Sequence, residues 1–315
     1  MDINGGNING ANIQGNPPLY AFATWTFTNA NSVGRFGPTT ANLRAIYDTT
    51  GNTWINSDEY FTSPVGIQTW TVPATGTYTI TAAGASGGTN VGLGALVSGT
   101  TTLIRGEVIQ IVVGQRGANT IASYGSGGGA SFVVRAPFNS NASIIAIAGG
   151  GGGRNGLSSN IFPAGGNVAV TPGFIPGYNK ATGGGGGGGS NVNGGQNGAA
   201  GENQSTSGYP GGGGGFFGNG GASSGLVLGG RSFRFGANGG PGNGSESVGG
   251  FGGGGGGSAR GSGGGGYNGG GAGDAGQTFA AAGGGSYTLN LSSVSATGNT
   301  ILGNGYVTVT LVGAL

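Results

Sequence analysis

Few side chains in this chain are suited to covalent chemistry. The 315 residues include no histidine and no cysteine, which excludes a Ser-His-Asp triad, a thiolate nucleophile and any metal site built from those ligands. Gly-x-Ser-x-Gly strings occur at 84–88 and 221–225, but neither is flanked as a nucleophile elbow requires. The only adjacent carboxylates, Asp58 and Glu59, would point to opposite faces of a strand. We therefore predict no catalytic residue, no metal and no cofactor, and a protein that is not an enzyme.

One cluster of side chains has the composition of a binding site. Arg231, Phe233, Arg234 and Phe235 fall within five residues, and arginine beside aromatic rings can stack on a glycan ring or a base. The alternative is that Phe233 and Phe235 cover the flank of a packed glycine region while the arginines point to water. The net charge of only +2 predicts no binding to nucleic acid, because a phosphate backbone requires a basic face.

Glycine tracts dominate the second half of the chain. Glycine accounts for 85 of the 315 residues, with unbroken runs at 183–189, 211–215, 252–257 and 263–266. No ordinary helix or strand tolerates this density, because glycine loses the most backbone freedom on ordering. One interpretation is a flexible linker. The other is a bundle of polyglycine-II helices, whose outward N–H and C=O groups must pair with neighbouring chains. The scarcity of charge and the interspersed aromatic residues favour the bundle.

Runs of alternating residues predict strands on both sides of the glycine region. The predicted strands are 21–28, 67–72, 77–82, 103–105, 107–113, 131–135, 143–148, 286–291 and 306–312. Turn residues at 73–76 and at Gly106 predict two hairpins. Shorter apolar pieces at 43–47 and 53–55 continue the strand-like pattern, and no amphipathic helix is predicted. Because strands return near the end of the chain, we predict one all-β, jelly-roll-like sandwich with residues 149–285 inserted as the glycine bundle.

The first 18 residues form a separate predicted segment. Ile3, Ile8 and Ile13 recur at every fifth position, a spacing found in pentapeptide-repeat coils, so this segment could attach the protein to a partner or to copies of itself. A mobile polar tail is the alternative. Residues 19–315 then form the sandwich domain. No apolar run of about 18 residues is present, so no membrane insertion is predicted, and the first residues lack the features of a secretion signal.

Several strings resemble one family. They are 34–39 (GRFGPT), 66–78 (GIQTWTVPATGTY), 83–88 (AGASGG), 113–115 (VGQ), 148–153 (AGGGGG) and 263–270 (GGGGYNGG). In this order they are similar to the extracellular glycine-rich region of the anaplastic lymphoma kinase and leukocyte tyrosine kinase receptors. Similar Trp-x-Val-Pro openings before polyglycine also occur in phage tail-tip adhesins. The resemblance implies a tumour-necrosis-factor-like sandwich with hexagonally packed polyglycine helices. Receptor signalling is not implied, because no kinase domain, membrane helix or cysteine is present.

These features predict a structural surface protein. The first hypothesis is a virion component on the particle surface, such as a fibre, spike or capsid decoration, bound to other virion or surface proteins through its first residues. The second is an adhesin whose inter-helix loops, 155–180, 191–210 and 216–241, recognise a host surface glycan or protein. The third is a cellular extracellular binding module. A homo-oligomer is compatible with each of the three.

Overall fold

Backbone hydrogen bonds pair the strands into two five-stranded antiparallel sheets. A computed structural model of the protein describes residues 16–47, 51–90, 92–119, 124–154, 195, 199, 210–222, 229–242, 247–257, 260–273 and 281–314. Both sheets contribute to one hydrophobic core, with Ile80 and Val97 from the first sheet and Ile109 and Val133 from the second. The predicted all-β sandwich is therefore confirmed.

Most strands of the first sheet are longer than those of the second. In chain order they are β1 (Thr24–Phe27), β2 (Phe61–Thr62), β3 (Gln68–Thr71), β4 (Gly76–Ala83), β5 (Gly94–Leu103), β6 (Val108–Val112), β7 (Ser131–Arg135), β8 (Ile144–Ala148), β9 (Ser292–Ile301) and β10 (Tyr306–Ala314). The first sheet has the order β1-β10-β4-β5-β9, and the second has the order β2-β3-β6-β7-β8.

The two ends of the domain meet in the first sheet. Trp25 of β1 lies opposite Val309 of β10, and β10 pairs on its other side with β4. The chain leaves the sandwich after β8 and returns at β9. The two late strands, β9 and β10, therefore both belong to the sandwich.

Neither predicted hairpin forms. The turn at 73–76 connects β3, which is in the second sheet, to β4, which is in the first, and Gly106 lies in a connection that returns from β5 to β6. Trp70 and Tyr78 consequently point into the same core from opposite sheets, with ring centroids 6.2 Å apart. A strand that faces a core has the same two-residue period in either sheet, so alternation beside a turn cannot distinguish a hairpin from a sheet-to-sheet corner.

A helix that the sequence did not predict precedes the second sheet. Helix α1 (Thr40–Ile46) begins at Thr39, whose side chain accepts a hydrogen bond from the Asn42 amide, while the Asn42 side chain accepts one from the Thr39 amide. Leu43 is its one buried residue. Seven residues with one buried side chain give almost no helical periodicity, which explains why residues 43–47 resembled a strand. A 3₁₀ turn, Thr53–Asn56, replaces the other apolar piece.

The strand predicted at 286–291 is also shifted. Within this range, Tyr287 makes a single bridge to Ile147, and the strand itself, β9, follows immediately. Most β9 side chains are exposed, because β9 is an edge strand of the first sheet. Its SSVSATGNTI sequence therefore lacks the apolar alternation that marks the other strands.

The described glycine segments are packed by their backbones. Gly128, in a loop of the sandwich, donates to Gly151 at 2.9 Å and accepts from Gly265 of the insertion at 2.9 Å, and Gly150 also donates to Gly265 at 2.9 Å. A Cβ atom added at Gly127 would lie 1.9 Å from the Gly263 carbonyl oxygen. The backbone hydrogen bonds therefore hold these described segments against one another. The tract at 183–189 and the repeat with Ile3, Ile8 and Ile13 lie outside the described residues.

Buried tyrosines predict a loss of stability in alkali. Burial raises the pKa of Tyr47, Tyr78 and Tyr267 to about 12, above the usual tyrosine pKa of about 10. The folded protein therefore holds these protons more tightly than the unfolded chain, and the associated stability is lost as the pH rises from about 10 through about 12. We expect tyrosinate absorbance to rise together with loss of circular dichroism. Complete tyrosine titration near pH 10 in a folded protein would contradict this expectation.

Candidate functional site

The predicted Arg–Phe cluster forms one tight turn whose side chains diverge. Phe233–Phe235 is a single 3₁₀ turn. Phe233 is only 4% exposed, whereas Phe235 is 63% exposed, and both Arg231 and Arg234 are exposed. The turn therefore combines parts of both sequence interpretations, because one phenylalanine covers the interior and the other joins the arginines at the surface. A binding role for the exposed residues stays a prediction.

Phe233 anchors this turn to the sandwich. Its ring stacks on Phe216 at a centroid distance of 5.1 Å and lies 5.3 Å from Phe132 of β7. Its amide donates to the Gly215 carbonyl at 3.2 Å. The turn ends at Gly236, whose φ of +96° is left-handed, a conformation that glycine adopts without strain. The position of the exposed residues is therefore set by buried neighbours.

A second loop, far away in sequence, lies against the same turn. The Arg35 carbonyl accepts from the Gly239 amide at 2.8 Å, and the Arg231 amide donates to the Asn238 carbonyl at 2.7 Å. Because the Asn238 carbonyl and the Gly239 amide belong to one trans peptide group and point in opposite directions, Arg35 and Arg231 flank this peptide group from its two sides. The Gly34 carbonyl accepts from the Phe251 amide at 2.9 Å, which ties the loop to the glycine-rich insertion as well.

The second loop adds exposed apolar surface. Val33 is 83% exposed and Phe36 is 60% exposed, while Gln115 Nε2 donates to the Phe36 carbonyl at 3.1 Å and holds the backbone. We call the combined surface the Arg–Phe patch, which consists of Val33, Arg35, Phe36, Arg231, Arg234 and Phe235. Exposed apolar residues beside cations are typical of recognition surfaces.

The arginines of the patch have no carboxylate partner among the described residues. The ion pairs found there are Arg44–Asp58 at 2.8 Å and Arg135–Glu107 at 3.1 Å. The half-buried Arg35 has a lowered pKa, first because burial disfavours its charge and second because Arg231 repels it. Arg35 Nε is buried without a hydrogen-bond partner in the described structure. The patch thus holds positive charges that pair with no carboxylate in the described part of the chain.

Sequence reasoning identified only half of this patch. Arg35 and Phe36 precede Arg231 by almost two hundred positions, and no local pattern connects them. One signal was available, because the tripeptide Arg-Phe-Gly occurs at 35–37 and again at 234–236. The structure brings these two copies into neighbouring loops.

Other candidate sites have weaker chemistry. A groove of about 870 Å³ near residues 16–18 is lined mainly by apolar groups, including Tyr20, Phe22, Ile104 and Leu311. Asp58 pairs with Arg44, and no three metal-ligating side chains converge anywhere in the described ranges. No helix in those ranges is long and apolar enough to cross a membrane.

Comparison with known proteins gives a partial similarity to a receptor. No protein-family model matches the chain. The mouse leukocyte tyrosine kinase receptor is 35% identical over 106 residues, which are 32% of this chain and 12% of the receptor. The matched stretch is thus a small part of that receptor. This similarity supports a related module within the chain and assigns no family to the whole.

Proposed function

We propose that this protein is a non-enzymatic surface protein in which a rigid glycine-rich platform presents the Arg–Phe patch to a binding partner. The observation that carries the proposal is the unequal burial within one turn. Phe233 is fixed between Phe132 and Phe216, while Phe235 stands 63% exposed two residues later. An apolar ring held in solvent contributes little to folding, but beside exposed arginines and other exposed apolar side chains it suits a binding surface.

Backbone pairing between glycine segments supports the rigid platform. Gly127 donates to Gly255 at 3.0 Å, Gly255 donates to Gly263 at 2.8 Å, and Gly263 donates to Gly211 at 3.2 Å. Four segments are therefore linked in succession without side chains. We propose that these segments are polyglycine-II helices, because that conformation directs backbone groups outward to several neighbours.

The partial similarity to a receptor supports a location outside the cell or at a surface. Within that location, a virion component such as a fibre, spike or capsid decoration remains our first proposal, with the segment containing Ile3, Ile8 and Ile13 as its attachment. The exposed patch favours the adhesin among the alternatives, because a purely structural component would not require arginines beside exposed aromatic rings.

Hydrogen exchange tests the platform directly. We expect amides at 211–215, 252–257 and 263–266 to exchange as slowly as those of β4 and β10, because each is hydrogen-bonded or buried by a neighbouring segment. The measurement is hydrogen–deuterium exchange read by mass spectrometry on the full chain. Rapid uptake across these glycine segments, with slow uptake in the strands, would overturn the rigid platform.

Cell binding tests the recognition role. The fluorescently labelled protein is incubated with a panel of bacterial, protist and animal cells, and the double variant Arg234→Ser/Phe235→Ser is compared with it. We expect the variant to lose binding at an unchanged melting temperature, because both side chains are exposed. Ile104→Ser, an equally exposed apolar position at 62%, is the matched control. Equal binding by all three proteins would contradict recognition through the patch.

A further inference from the structure

The groove near residues 16–18 lies where parts of both sheets end. The chain before β1, the turn between β3 and β4, the connection between β5 and β6, and the end of β10 each contribute to its walls. Its volume of about 870 Å³ lies within the usual range of small-molecule sites, which is about 300–1,000 Å³. None of the residues that line it belongs to the Arg–Phe patch. The groove is therefore a second candidate site, independent of the recognition role proposed above.

Apolar side chains from all four segments line this groove. Phe22 also packs against the core ring of Trp70, at a centroid distance of 5.3 Å, and this contact fixes its position in the wall. Ile104 is 62% exposed. The lining also includes three prolines and a leucine, which are Pro17, Pro18, Pro73 and Leu311. A hydrocarbon group in the groove would therefore remove apolar surface from water on both partners.

Backbone groups of the walls already have partners within the protein. Three wall carbonyls accept hydrogen bonds from other parts of the fold, at 2.8, 2.9 and 2.7 Å, and they belong to Pro17, Pro73 and Ala74. The amides of Arg105 and Leu311 donate at 3.0 and 2.8 Å, and the prolines have no amide hydrogen. A peptide ligand needs partners for its own backbone groups, whereas a hydrocarbon chain needs none. The groove therefore suits a hydrocarbon chain better than a peptide.

Arg105 gives the groove one positive charge. It is the only charged residue among the described residues of the lining. Its Nε donates to the Pro17 carbonyl at 2.8 Å, and its amide donates to Thr75 Oγ1 at 3.0 Å, so the guanidinium is held at the wall. The terminal nitrogens of a guanidinium match the two oxygens of a carboxylate. A cation beside apolar walls is thus complementary to an amphiphile with a carboxylate head.

We propose that the groove binds a free fatty acid, with the hydrocarbon chain along the apolar lining and the carboxylate against Arg105. The two parts of the ligand have separate roles. Each methylene that enters the groove adds affinity through the burial of apolar surface. Arg105 sets the preference for an acid over an alcohol of the same chain length, because only the acid carries a negative charge.

A series of ligands tests both roles by calorimetry on the full chain. Hexanoate, octanoate, decanoate and dodecanoate are titrated at about pH 8, where carboxylic acids are ionised, and below their critical micelle concentrations. Octanol, octyltrimethylammonium, a capped trileucine peptide and vesicles of anionic phospholipid are titrated beside them. We expect affinity to rise about fourfold with each added methylene until the groove is filled. Octanoate should bind about tenfold more tightly than octanol, and added salt should weaken the binding of octanoate alone.

Two variants separate the head group from the chain. Arg105→Gln should weaken octanoate binding about tenfold and leave octanol binding unchanged. Ile104→Ser should weaken the binding of both ligands about threefold or more, because apolar contact is lost. The matched controls are Arg234→Gln, which removes a charge outside the groove, and Leu302→Ser, which alters an apolar residue that is 63% exposed. Both controls should bind each ligand as the original protein does.

Several outcomes would overturn this proposal. They are affinity that is independent of chain length, equal affinity for octanoate and octanol, tighter binding of the trileucine peptide, and binding to the phospholipid vesicles without binding of free fatty acids. An equal loss of octanoate and octanol binding in Arg105→Gln would show that Arg105 only supports the wall, and would overturn its role as the carboxylate partner. Slow glycine exchange and patch-dependent cell binding would still support the proposed function in each case.

Discussion

Replacing Phe233 with alanine is expected to lower the free energy of unfolding by about 3 kcal/mol or more, whereas Phe235→Ala should change it by less than about 0.5 kcal/mol. The difference follows from burial, since Phe233 is 4% exposed and Phe235 is 63% exposed. Removing the Phe233 ring leaves a cavity between Phe132 and Phe216, whose ring centroids lie 5.3 Å and 5.1 Å from that of Phe233. The backbone around the cavity is already closely packed, so it can collapse only partly.

Chemical denaturation followed by circular dichroism measures both variants. They are a matched pair, because the same ring is removed from two positions of one turn. Phe235→Ala should keep its stability yet lose the cell binding assigned to the patch, and Phe233→Ala should lose both. Similar stabilities for the two variants would show that the ring of Phe233 is not the anchor of the turn.

The sandwich could be predicted because its core strands repeat a clear physical pattern. In β4 every second residue is buried, including Tyr78 and Ile80, and this alternation is visible in the sequence. The sequence did not show which sheet each strand joins. Trp70 and Tyr78 face one core from two different sheets, yet both strands show the same alternation of buried and exposed residues. The edge strand β9 was missed for the opposite reason, since its exposed positions carry no apolar signal.

The binding patch was only half predictable. Arg231, Arg234 and Phe235 share a turn, so their grouping follows from chain order. Arg35 reaches the patch through a backbone hydrogen bond to Gly239, and backbone bonds between distant segments leave no side-chain signature. The glycine-rich insertion multiplies such contacts. In this protein, therefore, the residues that assemble the site are the ones about which sequence patterns say least.

Gly127→Ala is expected to destabilise the protein by about 3 kcal/mol, equivalent to a fall in melting temperature of roughly 4 °C. The added methyl carbon would lie 1.9 Å from the Gly263 carbonyl oxygen, far inside van der Waals contact. Gly127 also donates to Gly255 at 3.0 Å and accepts from Gly250 at 2.9 Å. Any shift that relieves the clash therefore disturbs hydrogen bonds to two further segments.

Two other glycines separate this steric effect from the loss of glycine itself. A Cβ atom at Gly313 meets no heavy atom within 4 Å, so Gly313→Ala should leave the melting temperature within about 1 °C of its original value. Gly106 also has open space but has a φ of +81°, so Gly106→Ala should cost about 1 kcal/mol through backbone strain alone. If the glycine segments are rigidly packed, Gly127→Ala must be the most damaging of the three, and it should accelerate amide exchange at 250–257 and 263. A Gly127→Ala variant as stable as Gly313→Ala would mean that these segments yield to a methyl group, and the platform would then be too soft to hold the patch in place.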